Sequence, residues 1–331
     1  MDIKTFNNVA PRLPAEIAIL IQGPTGIGKS YLVKDIAAGL ELPVVDRRLS
    51  QMSEGDMVGL PELVDGTTRF CPPDWYAQAC REPVVLFMDE LNRATPEVIQ
   101  AAFQIVLDRE LNGHKLHPET RVFAAVNVGA EYEVNEMDPA LLRRFWVTEL
   151  VPTNEDWLEW ASKNDIDPMI QKFIKKYPAH LMHEGERSPG QIYPYPASWA
   201  RLDKSLKHAN CNPYECAGGE IPDIMLHITA GFVGMPTTAA FLDFVKNYIF
   251  KLSADDILNN FQEVEPDVKA MTNDKKNEAL DQVVLFLKSN DICATQIENL
   301  KGFMTYVSDE VVVDFAQTIM ATKNLHNIKM I

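Results

Sequence analysis

Gly23-Pro24-Thr25-Gly26-Ile27-Gly28-Lys29-Ser30 is the stretch on which the reading of this chain turns. It fits G-x-x-x-x-G-K-[ST], the phosphate-binding loop pattern known as Walker A. The residue types follow from the chemistry. Glycines let backbone N–H groups turn inward around a phosphate where a Cβ would clash. Lys29 is placed to reach the β- and γ-phosphates of a nucleotide, and the Ser30 hydroxyl to ligate Mg²⁺. The segment Gly23 through Tyr31 is therefore the expected nucleotide contact.

The flanks agree with that reading. Such a loop follows a strand and opens a helix. Upstream, Ile17-Ala18-Ile19-Leu20-Ile21 is a short apolar run of the kind a buried parallel strand shows. Downstream, Leu32, Val33, Ile36, Ala37 and Leu40 recur at helical spacing, and Pro43 stops the helix. The helix would aim its positive dipole end at the phosphates.

A second signal lies in Pro83-Val84-Val85-Leu86-Phe87-Met88-Asp89-Glu90, an apolar strand that ends in two adjacent carboxylates. Strand alternation sends them in different directions. Asp89 is placed to hold Mg²⁺ through water, and Glu90 to polarise a water that attacks the γ-phosphate. Thr95-Pro96-Glu97 then starts a helix: Thr95 as cap, Pro96 in the first turn, Glu97 against the dipole. Val98, Ala102, Ile105 and Val106 form its buried stripe. Leu111-Asn112-Gly113-His114-Lys115 reads as a hairpin turn.

The next strand, Arg121–Val126, ends in Asn127, on the ligand side of an open parallel sheet. That amide serves either to orient the attacking water or simply to begin a turn. In Asp138-Pro139-Ala140-Leu141-Leu142-Arg143-Arg144-Phe145, Asp138 caps a short helix that two arginines close. They either complement the helix dipole or supply an arginine finger to the γ-phosphate of a neighbouring subunit.

The ordered set resembles an AAA+ ATPase: Gly23–Ser30, Leu86–Glu90, Asn127 as sensor 1, and Arg143-Arg144-Phe145 as the finger segment. Within that family it is most similar to the MoxR branch and its CbbQ/NorQ-like relatives. Three features carry this likeness. Met88-Asp89-Glu90-Leu91-Asn92-Arg93-Ala94 is close to the branch's D-E-[IL]-N-R-A. Gly55–Trp75, with its Asp65-Gly66 turn, stands where the branch has a hairpin insert in its second helix. Leu111–Val122 fits its hairpin before sensor 1. The resemblance covers about residues 13–250.

It implies an α/β fold, a P-loop NTPase parallel sheet flanked by helices, followed by an α-helical lid. It also implies ATP and Mg²⁺, ATP hydrolysis to ADP and phosphate, and a homo-oligomeric ring, expected to be a hexamer. Arg144 is then the finger, with Arg143 as fallback, and Arg93 faces the neighbour. The client is a protein, often reached through a von Willebrand factor A-domain partner.

Two departures stand out. The branch often starts a lid helix with S-P-R-x-W, its Arg being sensor 2. This chain has Tyr195-Pro196-Ala197-Ser198-Trp199-Ala200-Arg201. Ala197 stands at the sensor 2 position, and Arg201, one turn further on the same face, is the candidate replacement. The other departure is Ser50-Gln51-Met52-Ser53-Glu54-Gly55-Asp56, where threading unfoldases carry an aromatic pore loop. It has no aromatic, which leaves Phe70 or Trp75 as candidates to grip a substrate.

The bulk properties bound the alternatives. The chain has 331 residues, enough for two domains, and a net charge of −16, which weighs against a nucleic-acid motor. Its 5 cysteines are scattered, and Met1-Asp2-Ile3-Lys4 begins no signal peptide. With no long apolar run, these features lead to the expectation of a cytoplasmic protein. His208, Cys211 and Cys216 lack the spacing of a zinc site.

The expected domains are an ATP-binding core over 1–150, a helical lid over 151–252, and a C-terminal helical extension over 253–331. Asp167-Pro168 starts one lid helix with Ile170, Phe173, Ile174 and Tyr177 on its core face. Pro236 starts another with Ala240, Phe241, Phe244, Val245 and Tyr248. In the extension, Val283, Val284, Leu285 and Leu287, then Val311, Val312, Val313, Phe315 and Ile319, predict packed helices. A loader or translocase on nucleic acid is the competing reading. A P-loop kinase is a weaker one, because it leaves Glu90, Asn127 and Arg144 idle.

Overall fold

Short apolar runs at near-regular spacing become parallel strands because both faces of the sheet they form are covered. The structure, a computed structural model, describes residues 1–128, 139–188, 190–249 and 252–321. Its strands in chain order are β1 (Ala18–Gly23), β2 (Val44–Arg48), β3 (Leu60–Val64), β4 (Thr67–Cys71), β5 (Val85–Asp89), β6 (Glu110–Leu111), β7 (His114–Lys115), β8 (Arg121–Asn127) and β9 (Phe145–Glu149). Five of them form one sheet in the order β2-β5-β8-β1-β9. Every neighbouring pair in it is parallel.

Alternation divides the side chains between two cores. Leu20, Leu86, Met88, Val122, Ala124 and Val126 share one face with Tyr76, Ala79, Val98, Ala102 and Ile105. Ile19, Ile21, Val85, Phe87, Phe123 and Ala125 share the other with Phe6, Leu32, Val33 and Ile36. The flanking helices are α1 (Ile3–Val9), α2 (Lys29–Gly39), α3 (Glu54–Val58), α4 (Asp74–Arg81), α5 (Pro96–Asp108) and α6 (Pro139–Leu142). Since all five strands run the same way, their carboxyl ends share one edge, and Gly23 lies in register with Asn127 there.

Both expected hairpins are present. β3 pairs with β4 and β6 with β7, each antiparallel. Their turns, Asp65-Gly66 (φ 51° and 77°) and Asn112-Gly113 (φ 50° and 84°), have positive φ at both central residues. That is the type I′ geometry that matches strand twist. The β3–β4 hairpin stands clear of the core, with Leu60 72% and Leu63 80% exposed.

Trp75 corrects an expectation. It is buried, and its indole N–H donates to the Asp56 carbonyl at 3.0 Å, so it presents no gripping surface. Leu60 and Leu63 are the large apolar side chains the hairpin exposes, and Phe70 is half-buried. A smaller correction concerns Thr95. It occupies the N-cap position of α5, but its side chain accepts no cap hydrogen bond.

Beyond the sheet come α7 (Asn154–Lys163), α8 (Pro168–Lys176), α9 (Pro196–His208), α10 (Asp223–Val233) and α11 (Met235–Lys246). They are followed by α12 (Ala254–Asn259), α13 (Phe261–Ala270), α14 (Asn273–Leu287), α15 (Ala294–Met304) and α16 (Asp309–Ala321). The chain divides into two compact units. The first comprises Met1–Ile166, Ile174–Asp203 and Ala230–Thr237 and contains the sheet. The second comprises Asp167–Phe173, Lys204–Thr229 and the chain from Thr238 on, and is helical.

Within the second unit, Phe173 packs on Phe241 and Phe244 at ring separations of 5.2 and 5.5 Å. Lys172 pairs with Asp267 at 2.7 Å, and the Tyr214 hydroxyl donates to the same carboxylate. Leu280, Val283, Val284, Leu287, Leu300, Phe303, Phe315 and Ile319 are buried, so the stretch after residue 253 is packed. Leu285 and Val313, expected inside, are exposed, as is Tyr177, which lies just past the end of α8. Leu285 and Val313 fall on the outer sides of helices whose inner stripes their neighbours already fill. Among the described residues no helix is long and apolar enough to cross a membrane.

Candidate functional site

The loop between β1 and α2 owes its shape to its glycines. A Cβ on Gly23 would lie 2.7 Å from Ile27 Cδ1, and Ile27 is itself buried beside the sheet. Gly26 and Gly28 have φ of +78° and +95°, a region costly to L side chains. Gly28 is the N-cap of α2, with open space where a Cβ would stand. Backbone can therefore approach a bound group closely there. Thr25 and Tyr31 are exposed, and Tyr31 meets Trp160 edge to face at 5.7 Å.

Lys29 begins α2 and points back into the loop. Its ammonium donates to the Gly23 and Pro24 carbonyls and to Asn127 Oδ1, each at 2.8 Å. Burial pushes its pKa down to about 8, opposed by the negative charges of Asp89 and Glu90. Ser30 Oγ donates to Asp89 Oδ2 at 2.9 Å. A hydroxyl beside a carboxylate is a hard oxygen pair suited to Mg²⁺, which keeps most of its shell as water and phosphate oxygens.

Glu90 lies just past β5 in the left-handed region, φ 55°, and caps the 3-10 turn Leu91–Arg93. Its carboxylate accepts from Ser50 Oγ and lies 3.9 Å from the Arg93 guanidinium. Its N–H donates to Asp89 Oδ1 at 2.8 Å. The two carboxylates have different partners, Ser30 for Asp89 and Ser50 for Glu90.

The structure thus joins Gly23, Pro24, Lys29 and Asn127 in one cluster and Ser30 with Asp89 in another. Arg143 and Arg144 close α6 and are exposed outside these clusters. Asp138, the expected cap, lies outside the described residues. Arg201 is exposed one turn along α9 from Ala197.

Ala197 itself reaches the loop through its backbone. Its N–H donates to the Gly26 carbonyl at 3.1 Å, and the Tyr195 side chain covers Gly26. The start of α9 is therefore fastened to the phosphate loop without a sensor arginine at that position.

Two residues of the site do not announce themselves in the sequence. Ser50 stands out there only as part of a loop lacking aromatics. Asn92 is buried, and its Nδ2 donates to the Asn127 carbonyl at 2.9 Å. It belongs to the motif that follows β5, but nothing in that motif names a backbone partner so far downstream.

Residues 18–145 match the family model of the AAA domain (dynein-related subfamily). This stretch is an AAA domain. It contains the phosphate loop, both hairpins, Asp89, Glu90, Asn127 and Arg144. No curated protein matches the chain in sequence. Among solved structures, NtrX from Brucella abortus in complex with ADP is similar at 14% identity and TM-score 0.41, over 96% of this chain and 67% of that one. A point mutant of Thermotoga maritima RuvB is similar at 15% identity and TM-score 0.40, over 94% and 84%. Hsp104 is similar at 18% identity and TM-score 0.36, over 59% and 37%.

Proposed function

We propose that this chain is a MoxR-like AAA+ ATPase that hydrolyses ATP to ADP and phosphate to remodel or activate a partner protein. The observation that carries this reading is one edge of the sheet. There Lys29, Asn127, the Ser30–Asp89 pair and Glu90 gather around a glycine loop at the start of a helix. Walker A alone would suit a kinase, which leaves Glu90 and Asn127 idle.

Lys29 binds the β- and γ-phosphates, exchanging its three protein acceptors for phosphate oxygens. Ser30 and Asp89 would hold Mg²⁺, which would neutralise charge on the phosphates. Asn127 orients the attacking water. Glu90 takes its proton as the oxygen–phosphorus bond forms and ADP leaves. Ser50 and Arg93 both engage Oε2 of Glu90, so Oε1 is the oxygen that accepts from that water. The Gly26–Ala197 hydrogen bond and the Tyr195 contact offer a route from the loop to α9, so that nucleotide state moves a helix. Arg144, being exposed, serves a neighbouring protomer in a ring, and Arg201 is the candidate second sensor. The client is a protein, with a von Willebrand factor A-domain protein as the first candidate.

Glu90→Gln tests the reading. It is expected to bind ATP as tightly as the wild type and to release phosphate about a hundredfold more slowly, the contribution of a positioned base. Wild-type turnover in the variant would remove Glu90 as the base. A phosphorylated acceptor in place of free phosphate would identify a kinase instead.

A further inference from the structure

We propose that Asn92 is a positioning residue for hydrolysis: one buried hydrogen bond to the Asn127 carbonyl fixes Asn127 relative to the turn that carries Glu90. The inference rests on the ATPase reading above and assigns a residue within that same site.

Sheet geometry explains why the bond is needed. β5 and β8 remain in register only from Val85↔Arg121 to Met88↔Ala124. β8 runs on to Asn127, while β5 ends at Asp89 and turns away at Glu90. On the opposite side, Val128 N–H donates to the Gly23 carbonyl at 3.3 Å, so the Asn127 carbonyl points toward the β5 side. There it has run past its strand partner. Asn92, two residues after Glu90, supplies the missing donor. The Asn127 side chain in turn accepts from Lys29. A single chain of contacts thus runs from the Glu90 turn through Asn92 and Asn127 to Lys29.

The other end of the same amide limits what Asn92 adds to stability. Asn92 Oδ1 is buried without a hydrogen-bond partner. An orphaned buried acceptor carries a desolvation penalty that offsets what the donated bond contributes. An apolar residue of the same size would avoid it but would orphan the Asn127 carbonyl instead. What only a donor provides is a fixed place for the strand end.

The experiment is a double-mutant cycle on steady-state ATP hydrolysis by the full chain, using Asn92→Leu, Asn127→Ala and the pair. Asn92→Leu is near-isosteric and cannot donate. It is expected to lower kcat about tenfold while leaving the KM for ATP within about twofold, because the lost contact acts on the transition state. In the Asn127→Ala background the same change is expected to have no further effect, since Asn92 acts through Asn127. Multiplicative losses, or an unchanged kcat in Asn92→Leu, would overturn the proposal. If Asn92→Leu does not fold, Asn92→Ala runs the same cycle. If neither folds, Asn92 is a structural strut and the proposal falls. A wild type that releases no phosphate defeats the ATPase reading instead, so the two failures are distinct.

Discussion

At Gly26 backbone conformation and packing coincide. Its φ is +78°, and a Cβ there would lie 3.1 Å from Tyr195 Cβ and 3.3 Å from Tyr195 Cγ. Gly113 shares the positive φ, +84°, but has nothing within 4 Å of its would-be Cβ. The two positions separate conformational strain from steric strain. Gly113→Ala is expected to cost about 1 kcal/mol, the usual cost of alanine in this region. Gly26→Ala adds displacement of Tyr195 and is expected to cost roughly 1–3 kcal/mol more, the range of an overpacked site. Urea unfolding of the two variants measures the difference. Equal losses would mean that Tyr195 yields freely and that α9 is not braced on the loop.

The same bracing recurs at the level of elements. The 3-10 turn Pro178–His180 is tied to α9, whose Trp199 indole N–H donates to the His180 carbonyl at 2.9 Å. The His180 ring lies 3.3 Å from Thr237 Oγ1, and burial lowers its pKa below 6.5. The sign follows from proton counting. In the window just below pH 6.5 the unfolded chain binds the proton and the folded chain does not. Stability therefore falls as pH drops through that window. Melting curves at about pH 7.5 and about pH 5.5, either side of the ordinary histidine range, should show a larger drop for wild type than for His180→Gln. Equal drops would remove His180 from the account.

Elements of this kind divide cleanly by legibility. β1, β5 and β8 are readable because their apolar runs are local facts. So are the turns at Asp65-Gly66 and Asn112-Gly113, where two positive-φ residues leave few alternatives. The phosphate loop is readable for the same reason. Trp75 is misplaced by its sequence context because hydrophobicity alone does not separate a buried indole from a displayed one. Its burial depends on the Asp56 carbonyl, which the fold brings to it. Ser50 and Asn92 escape because their partners are set by strand order.

For the whole molecule, charge and exposure point outward. The net charge of −16 disfavours a polyanionic partner. The exposed Leu60 and Leu63 and the outward-facing Arg144 favour protein neighbours. The finger reading makes a prediction that depends on assembly alone. Arg144→Ala retains its base but gives its neighbour no arginine; Glu90→Gln gives the arginine but lacks the base. Each variant by itself is expected to be nearly inactive. In an equimolar random mixture, a site works when its own chain is the first and the donating neighbour is the second. That holds at about one site in four for any closed ring with a fixed donor direction. Phosphate release near a quarter of the wild-type rate is therefore expected, against almost none from either variant alone. The fraction does not depend on the number of subunits, so it tests the trans geometry whatever the size of the ring. Mixed assemblies that stay inactive, with intact oligomers confirmed by light scattering, would place Arg144 outside the site.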